Sequence, residues 1–115
     1  QSEAGTSFGN DAVYIEKYID AHFKEDITLD TLSELTFLNK YHIVHAFKQY
    51  KGISPINYMI QKRIQEAKVL LSTTNLQISE ISIIIGFTSQ SYFAQAFKKA
   101  TGISPIQFRK NHSEQ

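Results

Sequence analysis

The two prolines of this 115-residue chain sit in the same pentapeptide, Gly-Ile-Ser-Pro-Ile, at 52–56 and again at 102–106. Laid on itself at an offset of 50, the chain matches well beyond those five letters. HAFKQYKGISPINYMIQK (45–62) lies on QAFKKATGISPIQFRKNH (95–112), pairing Ala46 with Ala96, Phe47 with Phe97, Lys48 with Lys98 and Tyr58 with Phe108. Upstream, Leu32 and Leu35 match Ile81 and Ile84 at an offset of 49, so the second copy has one more residue between its two helices. The repeated unit is a short helix, a turn, a longer helix and a corner.

Every periodic stretch has a helical period, and no strand pattern appears. Asn10 or Asp11 is placed to cap a first helix whose apolar face holds Val13, Tyr14, Ile15, Tyr18, Ile19 and Phe23. Thr28 caps a second with a Leu29, Leu32, Leu35 stripe, and Asn39 a third, running to about Tyr50 with Ile43, Ala46 and Phe47 inward. Gly52 ends that helix. Ser54 and Pro55 start the next, as N-cap and first helical residue, so the pentapeptide is a helix-to-helix corner. The fourth helix covers about 55–72, roughly 25 Å at 1.5 Å per residue, a length suited to holding two small units apart. A fifth begins near Ile78 with Ile81, Ile84 and Ile85 as its core side and ends at Gly86-Phe87. The sixth runs from Ser89 or Gln90 to Ala100 with Phe93, Ala96 and Phe97 inward, and a seventh starts at Pro105.

The expected fold is therefore all-α: seven helices, two helix-turn-helix subdomains (11–54 and 73–111) joined by a long linker helix (55–72), with a tail at 112–115. Residues 1–10 lack the basic and apolar regions of a signal peptide and read as a linker or cloning remnant, so the chain reads as part of a longer protein. Two-helix repeats also build solenoids and adaptors, which usually want a third copy, and only two copies exist here.

Charge is divided along the chain. Residues 1–34 carry two basic against eight acidic side chains, and residues 35–115 carry ten against three. Such a split either creates a basic face on a near-neutral molecule or merely solubilises separate helix surfaces. No apolar run approaches the roughly 18 residues of a membrane span. The absence of cysteine fits a reducing compartment, so a soluble, cytoplasmic protein without a membrane partner is expected.

The segment ISEISIIIGFTSQSYFAQAFKKATGISPIQFRK (78–110) combines an apolar stripe, Gly-Phe, Tyr-Phe, Phe-Lys-Lys, Gly, Ser-Pro and a terminal aromatic-Arg. YMIQKRIQEAKVLLS (58–72) adds Arg63-Ile64, Ala67 and Leu70-Leu71. On these motifs the chain resembles the DNA-binding region of the AraC/XylS family of bacterial transcription regulators over roughly residues 12–110. The resemblance implies two helix-turn-helix units on one long helix, binding two successive major-groove segments of one DNA site. Where that family commonly has Arg two residues before its Phe-Lys pair, this chain has His45 and Gln95.

Helical geometry leaves Lys40, Tyr41, Val44, His45 and Lys48 outward on the third helix, behind the cap Asn39. Tyr41 and Val44 suit thymine methyls or sugars, His45 a guanine or a phosphate, and Lys40 and Lys48 phosphate. The sixth helix, behind Ser89, presents Gln90, Ser91, Ala94, Gln95 and Lys98. Gln95 is the sharpest base reader, because an amide donates and accepts at adenine N6 and N7. The helix starts at Asn39 and Ser89 are candidates for phosphate through their free N–H groups, as are the side chains of Arg109 and Lys110, whereas Arg63 reads as structural. The rival for each single residue is an ordinary solvated helix side chain.

Enzyme chemistry finds no constellation. His42-x-x-His45 lacks a carboxylate in helix register, and two histidines make a poor metal set. No cofactor is implied. The serious alternative to a DNA reader is a helical protein-interaction module whose partner is a protein such as RNA polymerase. An effector or dimerisation domain is expected in the missing part of the polypeptide.

Overall fold

A computed structural model describes the backbone of residues 3–113 and the side chains of residues 10–112. Among the described residues there are seven helices and no strand: α1 Glu3–His22, α2 Leu29–Thr36, α3 Lys40–Lys51, α4 Pro55–Thr73, α5 Ile78–Ile84, α6 Gln90–Thr101 and α7 Pro105–Ser113. None is long and apolar enough to cross a membrane. The chain divides into two units whose boundary, between Met59 and Ile60, falls inside α4.

The corners between helices follow local chemistry. Gly52 and Gly102 have φ of 87° and 89°, and their amides donate to the Lys48 and Lys98 carbonyls at 2.7 Å in both copies. A Cβ at either glycine would meet nothing within 4 Å, so the left-handed backbone rather than crowding calls for glycine. Just beyond, Ser54 Oγ accepts from the Asn57 amide at 3.2 Å and Ser104 Oγ from Gln107 at 3.1 Å, with Pro55 and Pro105 buried as first helical residues. The corner is thus repeated down to its backbone angles.

The turns within each helix pair differ. In the first, Phe37 takes φ 62° and its amide bonds only the Ser33 carbonyl. In the second, Gly86 takes φ 101°, its amide bonds Ile83, and Phe87 reaches back to Ser82, a Schellman arrangement. The extra residue of the second copy, Thr88, lies between this turn and the cap Ser89.

In the unit 1–59, Ile15, Ile19, Ile27, Leu32, Ile43, Phe47 and Met59 form the core. Truncating a buried ring such as Phe47 to alanine typically costs about 3–5 kcal/mol. A polar tie crosses the edge of this core. Glu16 on α1 accepts from Tyr50 Oη at 2.6 Å and pairs with Lys51 Nζ at 2.8 Å, while Tyr58 Oη donates to Asp20 at 2.6 Å. The Lys51 ammonium also sits over the Tyr58 ring, 5.2 Å from its centroid. Hydrogen bonds from Lys51 and then Tyr50 hold the Glu16 carboxyl below its usual range, and burial followed by the Asp20 bond pushes the Tyr58 phenol up.

In the unit 60–115, Ile64, Ala67, Leu71, Ile81, Ile85, Phe87, Phe93 and Phe97 form the core. Phe108, the counterpart of Tyr58, packs edge-on to Phe97 with centroids 5.4 Å apart. Arg63 is buried there with its guanidinium 5.4 Å from the Phe87 centroid, the structural role expected of it.

Three expectations change. α1 begins at Glu3, so Asn10 and Asp11 lie inside a helix instead of capping it, and residues 3–9 of the expected linker are helical. The stretch has no proline to stop a helix, and propagation from a formed helix adds one hydrogen bond per residue. Leu35 and Ile84, placed inward from sequence, are 37% and 42% exposed. Six residues at 100° each bring Leu35 about 120° away from Leu29, whereas Ile85 returns to the Ile81 side within about 40°. Finally, the acidic side chains of residues 1–34 do more than solubilise separate helix surfaces, since Glu16, Asp20, Glu25 and Asp30 engage Lys51, Tyr58, His22 and Lys40.

Candidate nucleic-acid interface

Each unit holds up one longer helix, α3 or α6, by its inward aromatic and aliphatic side chains. Ile43, Ala46 and Phe47 are buried on α3, and Phe93 and Phe97 on α6. The helix starts are set by side-chain caps: Asn39 Oδ1 accepts from the His42 amide at 2.8 Å, and Ser89 Oγ from Tyr92 at 3.0 Å. Both capping residues therefore have a structural task at the end of the helix that carries the candidate side chains.

Opposite the core, α3 exposes Lys40, Tyr41, His45 and Lys48, with Val44 half-buried. At the same five repeat positions α6 exposes Gln90, Ser91, Gln95 and Lys98, with Ala94 half-buried. The two faces agree only at their last member, Lys48 and Lys98. The other four positions differ in kind: Lys and Gln, Tyr and Ser, Val and Ala, His and Gln. A constant ammonium can meet a constant phosphate backbone, and varied polar and apolar side chains beside it can meet varied bases.

The cations of this surface are not equivalent. Lys40 pairs with Asp30 of α2, while Lys48 and Lys98 make no ion pair among the described residues. Both also lie in the last turn of their helices, where a cation is favoured by the exposed carbonyls by about 0.3–1 kcal/mol. Lys110 is exposed on α7.

Arg109 is held elsewhere. Its Nε donates to the Leu71 carbonyl at 3.1 Å, Nη1 to Leu76 at 2.6 Å and Nη2 to Thr74 at 3.2 Å, so the guanidinium is occupied by the backbone of the last turn of α4 and of the connection to α5. These bonds give Arg109 a structural task beside the phosphate contact expected of it. Phe37 lies on no helix face named above. It is 94% exposed in the turn before α3, where the second copy has Gly86. Tyr92, half-exposed on α6, sits edge-on to Phe87 at 5.1 Å and belongs to the packing of that turn. Among the described residues no three His, Cys, Asp or Glu side chains gather as a metal site.

A family profile described as a helix-turn-helix domain matches residues 32–111. The bifunctional transcriptional activator/DNA repair enzyme AdaA of Bacillus subtilis (strain 168) is 40% identical over 96 residues, which is 84% of this chain and 46% of that protein. The chain thus spans less than half the length of that relative. The C-terminal domain of AraT, a response regulator from Geobacillus stearothermophilus, superposes with a TM-score of 0.84 at 36% identity, covering 88% of this chain and 84% of that one. The DNA-binding domain of AdpA, solved in complex with a target DNA, has the same fold, with a TM-score of 0.84 over 90% of this chain and 93% of that one at 21% identity.

Proposed function

From the premise that this chain belongs to the AraC/XylS family of helix-turn-helix transcription regulators, we propose that it is the DNA-reading domain of such a regulator, binding double-stranded DNA sequence-specifically with α3 and α6 in successive major-groove segments. The observation that carries this is the pair of matched outward faces, with lysine constant at 48 and 98 and the neighbouring outward side chains varied, at 41, 44 and 45 against 91, 94 and 95. Lys48 and Lys98 neutralise phosphate, joined by Lys40 and Lys110. Gln95 reads adenine through its amide, and His45 donates to guanine. Asn39 and Ser89 act at the interface by fixing where each reading helix begins.

The role is binding, without catalysis or cofactor. We place the domain in the bacterial cytoplasm, with RNA polymerase as the protein partner of the full regulator and with effector binding or dimerisation carried by sequence outside these two units.

The test is binding to a randomised duplex library across a salt titration. Affinity should fall by orders of magnitude between about 50 and 200 mM salt while preference for one sequence persists. Absence of duplex binding at low salt across the whole library would overturn the proposal in favour of a helical protein-interaction module.

A further inference from the structure

Tyr41 and His45 stand one helical turn apart on α3, their ring centroids 5.9 Å apart and their planes 11° from parallel. The tyrosine is 78% exposed, so the core does not hold its ring. Among the described residues this stack is the ring contact of each side chain, with no hydrogen bond or ion pair to either. The matched positions on α6 carry Ser91 and Gln95 and have no rings to stack. One reading helix therefore has its central donor held by a neighbour, and the other does not.

We propose that Tyr41 is a positioning residue for His45: its ring face fixes the imidazole plane, so that a ring N–H meets guanine O6 or N7 without first giving up rotamer freedom. This rests on the DNA-reading role of α3. Guanine is the matching base because it presents two adjacent acceptors in the major groove, whereas adenine sets an acceptor beside a donor. An unsupported imidazole on an exposed helix face would have to be immobilised at the interface, which weakens binding by about two- to tenfold. Offset near-parallel rings at this distance attract each other, so part of the immobilisation is already made in the free protein.

The experiment measures duplex affinity by fluorescence anisotropy, on the preferred site and on sites changed one base pair at a time. The proteins are the wild type, Tyr41→Ala, Tyr41→Phe, His45→Ala and the double alanine variant, each checked for wild-type melting. His45→Ala should abolish preference at one guanine. Tyr41→Ala should lower preference at that same guanine about two- to tenfold, Tyr41→Phe should keep it, and Tyr41→Ala should add no further loss once His45 is alanine.

A Tyr41→Ala variant that keeps full preference at that guanine overturns the proposal. So does one whose loss falls on another base, or is undiminished in the His45→Ala background, because Tyr41 then makes an independent contact. If His45→Ala shifts no base preference while the wild type still selects a sequence, the positioning role falls and DNA reading stands. A wild type that binds no duplex brings down both.

Discussion

Phe37 takes a backbone conformation that its side chain does nothing to repay within the fold. Its φ of 62° is the positive value among the described non-glycine residues, and its ring is 94% exposed. A left-handed residue with a side chain costs about 1–2 kcal/mol, and glycine would return part of that through a freer unfolded chain. Phe37→Gly is expected to stabilise the protein by about 0.5–1 kcal/mol, seen as a higher urea midpoint with an unchanged slope. A lower midpoint would mean that the ring packs in a way the exposed position does not reveal. At the reading surface, Gln95→Ala should relax preference at one base pair, whereas Lys48→Ala should weaken all sequences alike and lower the salt slope by about one. Equal effects of both changes on every sequence would refute that division of labour. The caps Thr28, Asn39, Ser54, Ser89 and Ser104 were legible in the sequence because capping needs only a neighbour three residues on. The role of Arg109 was not. Its acceptors lie 33 to 38 residues away, and nothing in the spacing of the chain connects an arginine on α7 to carbonyls at the end of α4 and just beyond it.

Between elements, polar ties do what the apolar stripes alone do not. α7 is held to the connection after α4 by the three donors of Arg109, and hydrogen bonds from a charged group are worth about 1.5–3 kcal/mol each when they do not share their loss. Arg109→Met keeps the length and removes all three, so a stability loss of about 2–4 kcal/mol is expected in urea unfolding. A loss confined to DNA affinity, with unfolding unchanged, would assign Arg109 to the interface alone. α1 is tied to α3 through Glu16, whose carboxyl is depressed first by the Lys51 bond and then by Tyr50. A depressed carboxyl contributes stability above its unfolded pKa and loses it as pH falls through the folded value. Glu16→Gln should therefore lower the melting temperature near neutrality, and the gap to the wild type should close as the solution is acidified below the usual carboxylate range. A gap that is constant with pH would assign the effect to packing. Helix existence was readable from period and caps, but face assignment was not always so: an i, i+3, i+6 stripe looks like a core side in sequence, yet geometry turns its last member, Leu35 or Ile84, toward solvent.

For the molecule as a whole, the internal repeat carries the function as well as the fold. If both units bind one duplex, the second contact is intramolecular, and affinity for a complete site exceeds that for a single element by about 10²–10⁴-fold. The repeat presents twice an identical exit corner and an identical lysine, and it changes the residue three positions before that lysine, His45 against Gln95. A selected site should then contain two unlike elements about one helical turn, or 10–10.5 base pairs, apart from centre to centre. Inserting about five base pairs between them turns the second element to the opposite face of the duplex. Affinity should drop to that of a site whose second element is scrambled, a loss of about 10²-fold or more, and Gln95→Ala should cease to matter on the spaced site while His45→Ala still does, or the reverse. Unchanged affinity after the insertion would mean that one unit does all the reading, and that the second copy is retained for another partner.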